Sequence, residues 1–170
     1  NELITVTVDL METVAAKHHT RLHATLPQEP LVANIDASQI QQVLTNLIVN
    51  AIQTAGNAGN VTITLCDSHC KPPGNDGAAA EKHRRISITD DGEGISPNDR
   101  AHIFEPFFTT KDVGEGTGLG LSISHGIIQE HGGWIEVDTT EGQGSKFSIY
   151  LPAKDDSNQP DGNDPRELRS

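Results

Sequence analysis

Two asparagines four residues apart, Asn46 and Asn50 in the run NLIVNA, are the first residues with chemistry to offer. Positions four apart on a helix project on one face. The pair therefore lines one edge of a helix while Leu47 and Ile48 turn toward a core. A carboxamide oxygen suits a hard cation such as Mg²⁺, and its NH₂ can reach a phosphate. Taken alone, the pair reads first as two polar residues on a solvated face. A second stretch, Asp90-Asp-Gly92-Glu-Gly94-Ile95, follows a strand-like run. Its glycines let the backbone turn sharply and approach a flat ligand. A buried carboxylate at a strand end can accept a hydrogen bond from an exocyclic amine such as that of adenine, although an ordinary Asp-Gly turn has the same letters. The acidic spacing does not fit a calcium loop.

The third stretch, Phe104-Glu-Pro-Phe-Phe-Thr-Thr-Lys111, sets three Phe around a Pro in polar surroundings. An apolar anchor followed by the glycine-bearing run 112–116 is the make-up of a lid, and Lys111 at its edge could reach a phosphate. A surface loop with a core anchor is the plainer alternative. The fourth, Gly116-Thr117-Gly118-Leu119-Gly120-Leu121, leads into a helical pattern. Free N–H groups and the positive dipole end at a helix start make a phosphate site. No Gly-Lys-Ser/Thr occurs, and the glycine spacing does not fit the dinucleotide fingerprint.

The elements that must position these residues follow from periodicity. Residues 3–8 (LITVTV) alternate and predict a strand, with Asp9 opening a helix to about His19. Strands are predicted at 21–26, 31–35, 61–65, 84–89, 134–139 and 146–151. A helix capped by Asp36 or Ser38 is predicted to run to about Thr54, with Ile40, Val43, Leu44, Leu47, Ile48 and Ile52 at helical spacing. A short helix is expected near 98–103 and a longer one from Leu119 to Glu130. Residues 67–83 read as a flexible insertion and 154–170 as a disordered acidic tail. Helices and strands mix without strict alternation, so the fold class is α+β: a two-layer sandwich whose mixed sheet is covered on one face by helices.

The net charge of −12 argues against a nucleic acid partner. It also means that any phosphate ligand must be met locally by backbone N–H groups, a metal or a placed cation. Cys66, His69, Cys70 and His83 could be drawn as a zinc site, but the spacing is poor, and two reduced thiols is the better reading. No apolar run is long enough to span a membrane.

In this order and at these separations the four stretches resemble the N, G1, F and G2 boxes of the Bergerat-fold ATP-binding domains, and within them the sensor histidine kinases. Gly142-Gln-Gly144-Ser-Lys-Phe147 is similar to the family's last glycine motif, and the resemblance covers about residues 1–153. It implies a sheet mostly antiparallel under about three helices, with ATP and Mg²⁺ bound. Asn50 would hold the Mg²⁺, Asp90 would read the adenine amine, and the backbone of Gly118–Gly120 would hold phosphates. Asn46 and Lys111 would assist transfer. Gln53, Gly92, Gly94, Ile95, Phe104, Thr117, Leu119 and Leu121 would complete the nucleotide site, and residues 96–117 would form the lid.

Related branches carry a Glu base where this chain has Asn46, and many histidine kinases carry a Lys where it has Gln53; the latter departure is similar to the nitrogen-regulation branch. None of the eight histidines is followed by the acid-rich stretch of a phosphoacceptor box. The resemblance thus implies a cytoplasmic, monomeric catalytic domain that does not autophosphorylate. Its γ-phosphate would go to a histidine on separate dimerisation helices, expected to precede Asn1, and from there to a response regulator.

Overall fold

A computed structural model describes residues 1–75, 77, 79–110 and 116–153. Among these residues, four helices and five strands follow in the order α1 (Glu2–Lys17), β1 (Arg21–Thr25), α2 (Ala37–Ala55), β2 (Asn60–Cys70), β3 (Glu81–Asp90), α3 (Pro97–Arg100), α4 (Gly120–Glu130), β4 (Trp134–Thr140) and β5 (Gly144–Pro152). The sheet order is β1-β2-β3-β5-β4. β1 runs parallel to β2, and the remaining pairs are antiparallel. Helices α1, α2 and α4 pack on one face, with α2 in the middle against both neighbours and the sheet. This is the expected α+β sandwich.

The α2 stripe is buried as its spacing requires: Ile40, Val43, Leu44, Leu47, Ile48 and Ile52 are all at most 1% exposed. They meet Val61, Ile63, Ile88 and Ile149 from the sheet in one cluster. The start of α2 is fixed twice. The Asp36 carboxylate accepts from the N–H groups of Ser38 and Gln39, as an N-cap residue does. Its own N–H donates to His131 Nε2 at 3.0 Å, while His131 Nδ1 lies 2.8 Å from the Ile127 carbonyl. The start of α2 is therefore pinned to the end of α4.

Three predicted elements need correction. Residues 3–8 are helical, not a strand, and Asp9 lies inside α1 rather than capping it. Over the full length, Ile4, Thr7, Val8, Met11, Val14 and Ala15 fall on one helical face against the core. Thr7 Oγ1 donates to the Leu3 carbonyl at 2.7 Å, so its hydroxyl is satisfied inside the helix. Residues 31–35 form no strand; they make one bridge, Ala33 with Ala153, and the Val32 carbonyl accepts from Arg84 Nε at 3.0 Å. The expected insertion 67–83 is shorter than predicted, because its two ends, 67–70 and 81–83, are paired backbone. β2 runs on to Cys70 and β3 begins at Glu81, with Asp67 opposite Arg84 and Ser68 opposite His83. Arg84 is 5% exposed and pairs with Asp67, which also meets Lys82 at 3.1 Å. The expected tail 154–170 lies outside the described residues.

Candidate active site

The four sequence stretches converge on one hollow. α2 contributes Asn46, Val49, Asn50, Gln53 and Thr54. The sheet contributes Asp90 from the end of β3 with Ser145 and Phe147 from β5. Ile95, Asp99, Ile103 and Phe108 come from the chain after β3, and Gly116, Thr117, Gly118, Gly120 and Leu121 from the start of α4. The hollow has a volume of about 390 Å³, within the range of small-ligand sites.

Asp90 is its buried acid. It ends β3 opposite Ser145 and is 4% exposed. Burial pushes its carboxyl above the usual carboxylate range, against the lowering effect of N–H donors from Gly92 and Ser145. Gly92 N–H donates to Asp90 Oδ1 at 3.0 Å. A side chain at Gly92 has no room: its Cβ would stand 2.3 Å from the Thr54 carbonyl oxygen and 2.9 Å from Asp90 Oδ1. The turn is thus pressed onto the last residues of α2, which brings Asp90 and Asn50 to one cavity.

Asn46 spans the helices. Its Nδ2 donates to the Gly120 carbonyl and to Ser124 Oγ, each at 3.3 Å. The amide therefore locks the edge of α2 to the first turn of α4. That turn has no side-chain cap hydrogen bond among the described residues, and its residues Gly120 and Leu121 line the hollow. Ahead of it, Gly118 has φ +65°, and a Cβ there would lie 2.4 Å from the Phe107 carbonyl carbon. Phe107 N–H donates to the Gly118 carbonyl at 2.9 Å, which stitches the phenylalanine stretch to the glycine run.

Of that stretch, Phe104 and Phe108 pack against the core, and Phe104 stacks on His125 with centroids 4.8 Å apart. Phe107 differs from the expected anchor, being 74% exposed with φ +68°. The backbone bond to Gly118 sets this residue, and its ring is left outside.

The structure thus brings Asn46, Asn50, Gln53, Asp90, Ile95, Thr117, Gly118, Gly120 and Leu121 to the cavity wall. Gly92, Gly94, Phe104 and Leu119 do not line it. Gly92 and Gly94 act through the turn, where Ile95 N–H donates to Thr139 Oγ1 at 2.9 Å. Phe104 acts through the core. Lys111 lies outside the described residues, as do residues 112–115 of the expected lid. Phe108, Thr109 and Thr110 of the phenylalanine stretch line the wall, and so do Thr54 and Ser145, which the sequence does not mark as site residues. Ser145 sits in the glycine motif 142–147, but its place opposite Asp90 depends on strand register. Cys66 and Cys70 are free thiols, and no group of three or more potential metal-binding side chains exists among the described residues.

The sequence profile of the histidine kinase-, DNA gyrase B-, and HSP90-like ATPases matches residues 35–155. The sensor histidine kinase ZraS of Escherichia coli (strain K12) is 37% identical over 162 residues, which is 95% of this chain and 32% of that protein. The catalytic domain of histidine kinase ThkA in a nucleotide-free form superposes with a TM-score of 0.74 at 35% identity, covering 90% of this chain and 91% of that one. Full-length ShkA in complex with AMPPNP gives a TM-score of 0.72 at 28% identity, covering 89% of this chain and 29% of that one. The chain spans about a third of the length of the curated relatives it matches first.

Proposed function

Because this chain belongs to the histidine kinase-, DNA gyrase B-, and HSP90-like ATPase family, and within it with the histidine kinase catalytic domains, we propose that its cavity binds Mg²⁺–ATP and presents the γ-phosphate to a histidine on a separate phosphoacceptor domain. One observation carries this most: a buried carboxylate, the amide edge of α2 and an uncapped helix start line the same hollow of about 390 Å³. The acid would accept from the adenine amine, and the apolar walls of Ile95, Ile103 and Phe147 suit its flat ring. The first N–H groups of α4 and its dipole would hold phosphates. On a chain of net charge −12, this local arrangement offsets the repulsion of a polyphosphate.

The residues present fit a magnesium ion in one way. Asn50 offers a single carboxamide oxygen, and no protein cage accompanies it among the described residues. A Mg²⁺ ion usually takes its other ligands from phosphates and water; there it would neutralise phosphate charge. Asn46 holds α2 and α4 together and cannot act as a base, because an amide takes no proton at neutral pH. This favours transfer to an acceptor that is already nucleophilic over activation of water. Lys111 would contact phosphate from the lid 96–117, and Gln53 would leave one phosphate contact weaker than a lysine makes it. The Gln53 substitution also supports the nitrogen-regulation branch. A response regulator would act downstream, and the domain by itself would be monomeric.

The test is to mix the chain with γ-labelled ATP, Mg²⁺ and the separately made phosphoacceptor helix pair of its parent kinase. Acid-labile, base-stable label on the helix pair is expected. Free phosphate released without an acceptor would point to a hydrolase, and nucleotide binding without transfer to a regulatory module.

A further inference from the structure

Three strands carry one polar row to the wall of the cavity. Asp90 of β3 lies opposite Ser145 of β5, and Ser145 lies opposite Thr139 of β4. Residues directly opposite one another share a face of the sheet. Two residues along the same strands stand Ile88, Phe147 and Val137, all in the core cluster, so the row lies on the core side. Asp90 and Ser145 are 4% and 5% exposed, and both line the cavity. Thr139 stands behind them.

The Thr139 hydroxyl makes three contacts. Ile95 N–H donates to its Oγ1 at 2.9 Å. Its Oγ1 donates to the Gly144 carbonyl at 3.1 Å. Ser145 Oγ is 2.8 Å away. A hydroxyl has one hydrogen and two lone pairs. The Gly144 carbonyl can only accept, so it receives the Thr139 hydrogen. Ile95 N–H fills one lone pair of Oγ1, and the other is left for the Ser145 hydroxyl to donate to. Only that arrangement satisfies all three contacts. The one hydrogen of Ser145 is then spent inside the wall, and its hydroxyl meets the cavity as an acceptor. Asp90, when ionised, is likewise an acceptor only.

The same two turns are also joined without this hydroxyl. Gly142 N–H donates to the Glu93 carbonyl at 2.6 Å. A Cβ at Gly94 would stand 2.2 Å from the Thr140 carbonyl oxygen, so the backbones already touch. Holding the β4–β5 turn against the turn after β3 therefore does not by itself account for Thr139.

We propose that Thr139 is a positioning residue for the nucleotide base: by accepting the Ser145 hydroxyl hydrogen bond it keeps this end of the wall accepting, and the site then prefers a base that presents an amine over one that presents a carbonyl. The proposal rests on the reading of the cavity as an ATP site. An exocyclic amine offers two N–H groups, and the row offers an acceptor for each. A carbonyl in the same place would face two acceptors and find no donor. Mismatches of that kind, which leave buried polar groups unpaired, are what a hydrogen-bonding site rejects most strongly.

The experiment measures, by calorimetry, the Kd of Mg²⁺–ATP and of Mg²⁺–inosine triphosphate, which has a carbonyl where ATP has its amine. The proteins are the unaltered chain, Thr139→Val, Thr139→Ser and Ser145→Ala. The unaltered chain and Thr139→Ser should prefer ATP to the same degree. In Thr139→Val the Ser145 hydroxyl loses its acceptor and can donate into the cavity, so the preference should fall by about fivefold or more, the scale of one hydrogen bond. Ser145→Ala leaves the other two Thr139 bonds in place and should lower the preference as well. Adding Thr139→Val to Ser145→Ala should then change it no further. A Thr139 that only braced the fold would weaken both nucleotides alike. An unchanged preference in Thr139→Val or in Ser145→Ala would overturn the proposal while leaving the ATP reading intact. Failure of the unaltered chain to bind either nucleotide would overturn the ATP reading, and this proposal with it.

Discussion

Asp90 decides what the cavity can read. It is 4% exposed, and burial raises its pKa from the ordinary 3.8 although N–H groups of Gly92 and Ser145 favour the charged form. Two consequences have opposite signs. With a folded pKa above the unfolded one, the ionised carboxylate weakens the fold: its unfavourable effect is absent below pH 3.8 and grows as pH rises through that value toward the folded pKa. The proposed recognition of an amine needs the ionised acceptor, so nucleotide affinity should fall on acidification at a pH clearly above 3.8. Titrations of ATP across pH 4 to 7 should show this slope, and the Asp90-dependent part of it should be missing in Asp90→Asn. An identical slope in both would remove Asp90 from the site.

At the scale of elements, the glycine run and the phenylalanine stretch work as one piece. Gly118 has φ +65°, a left-handed conformation that costs an L residue about 1–2 kcal/mol. A Cβ there would also run into the Phe107 backbone at 2.4 Å. Gly118→Ala should therefore spring the junction between lid base and α4 while leaving the sheet and α2 intact. The expected outcome is an ATP affinity lower by at least tenfold, with faster proteolysis near residues 105–118, and a circular dichroism spectrum unchanged at 20 °C. Unchanged affinity would mean that this junction does not shape the site.

Elements were legible where one signal dominated. The α2 stripe, the Gly118–Gly120 helix start and the β4–β5 hairpin could be read directly, because burial on one face leaves a periodic trace. The first helix was not, because six alternating residues outvoted a weaker period that needs all sixteen to be seen. The extension of β2 and β3 past Asp67 and Arg84 was missed for another reason: its polar letters resemble a loop, and its pairing is fixed by a buried arginine whose partners lie 17 and 52 residues away in sequence. Site residues followed the same division. Asp90, Asn50 and the glycines announce themselves by type and spacing, whereas Ser145 is brought in by register alone.

For the whole molecule, that arginine ties the far end of the sheet to the segment before α2. Arg84 donates to the Val32 carbonyl and pairs with Asp67. Burial pushes the Asp67 carboxyl up, but hydrogen bonds from Arg84 and Lys82 outweigh it and leave it below its ordinary value. The stability it contributes is then present above pH 3.8 and lost as pH falls through the folded pKa. Arg84→Ala should cost roughly 0.5–1.5 kcal/mol in urea unfolding, the net scale of a lost hydrogen bond, since the partners it leaves, Asp67 and Val32, are exposed to water. The acid-side loss of stability below about pH 4 should flatten in the same variant. Nucleotide affinity should hold, since the hairpin end stands away from the cavity; a tenfold fall would mean that the segment before α2 positions Asn50.

The most direct test of the account is calorimetric titration of Mg²⁺–ATP into the unaltered chain and into Asp90→Asn. Saturable binding that weakens at least tenfold in the variant, with the fold intact by circular dichroism, is the predicted result. Absence of binding by the unaltered chain, or equal binding by a folded Asp90→Asn, would contradict the assignment of this cavity to ATP.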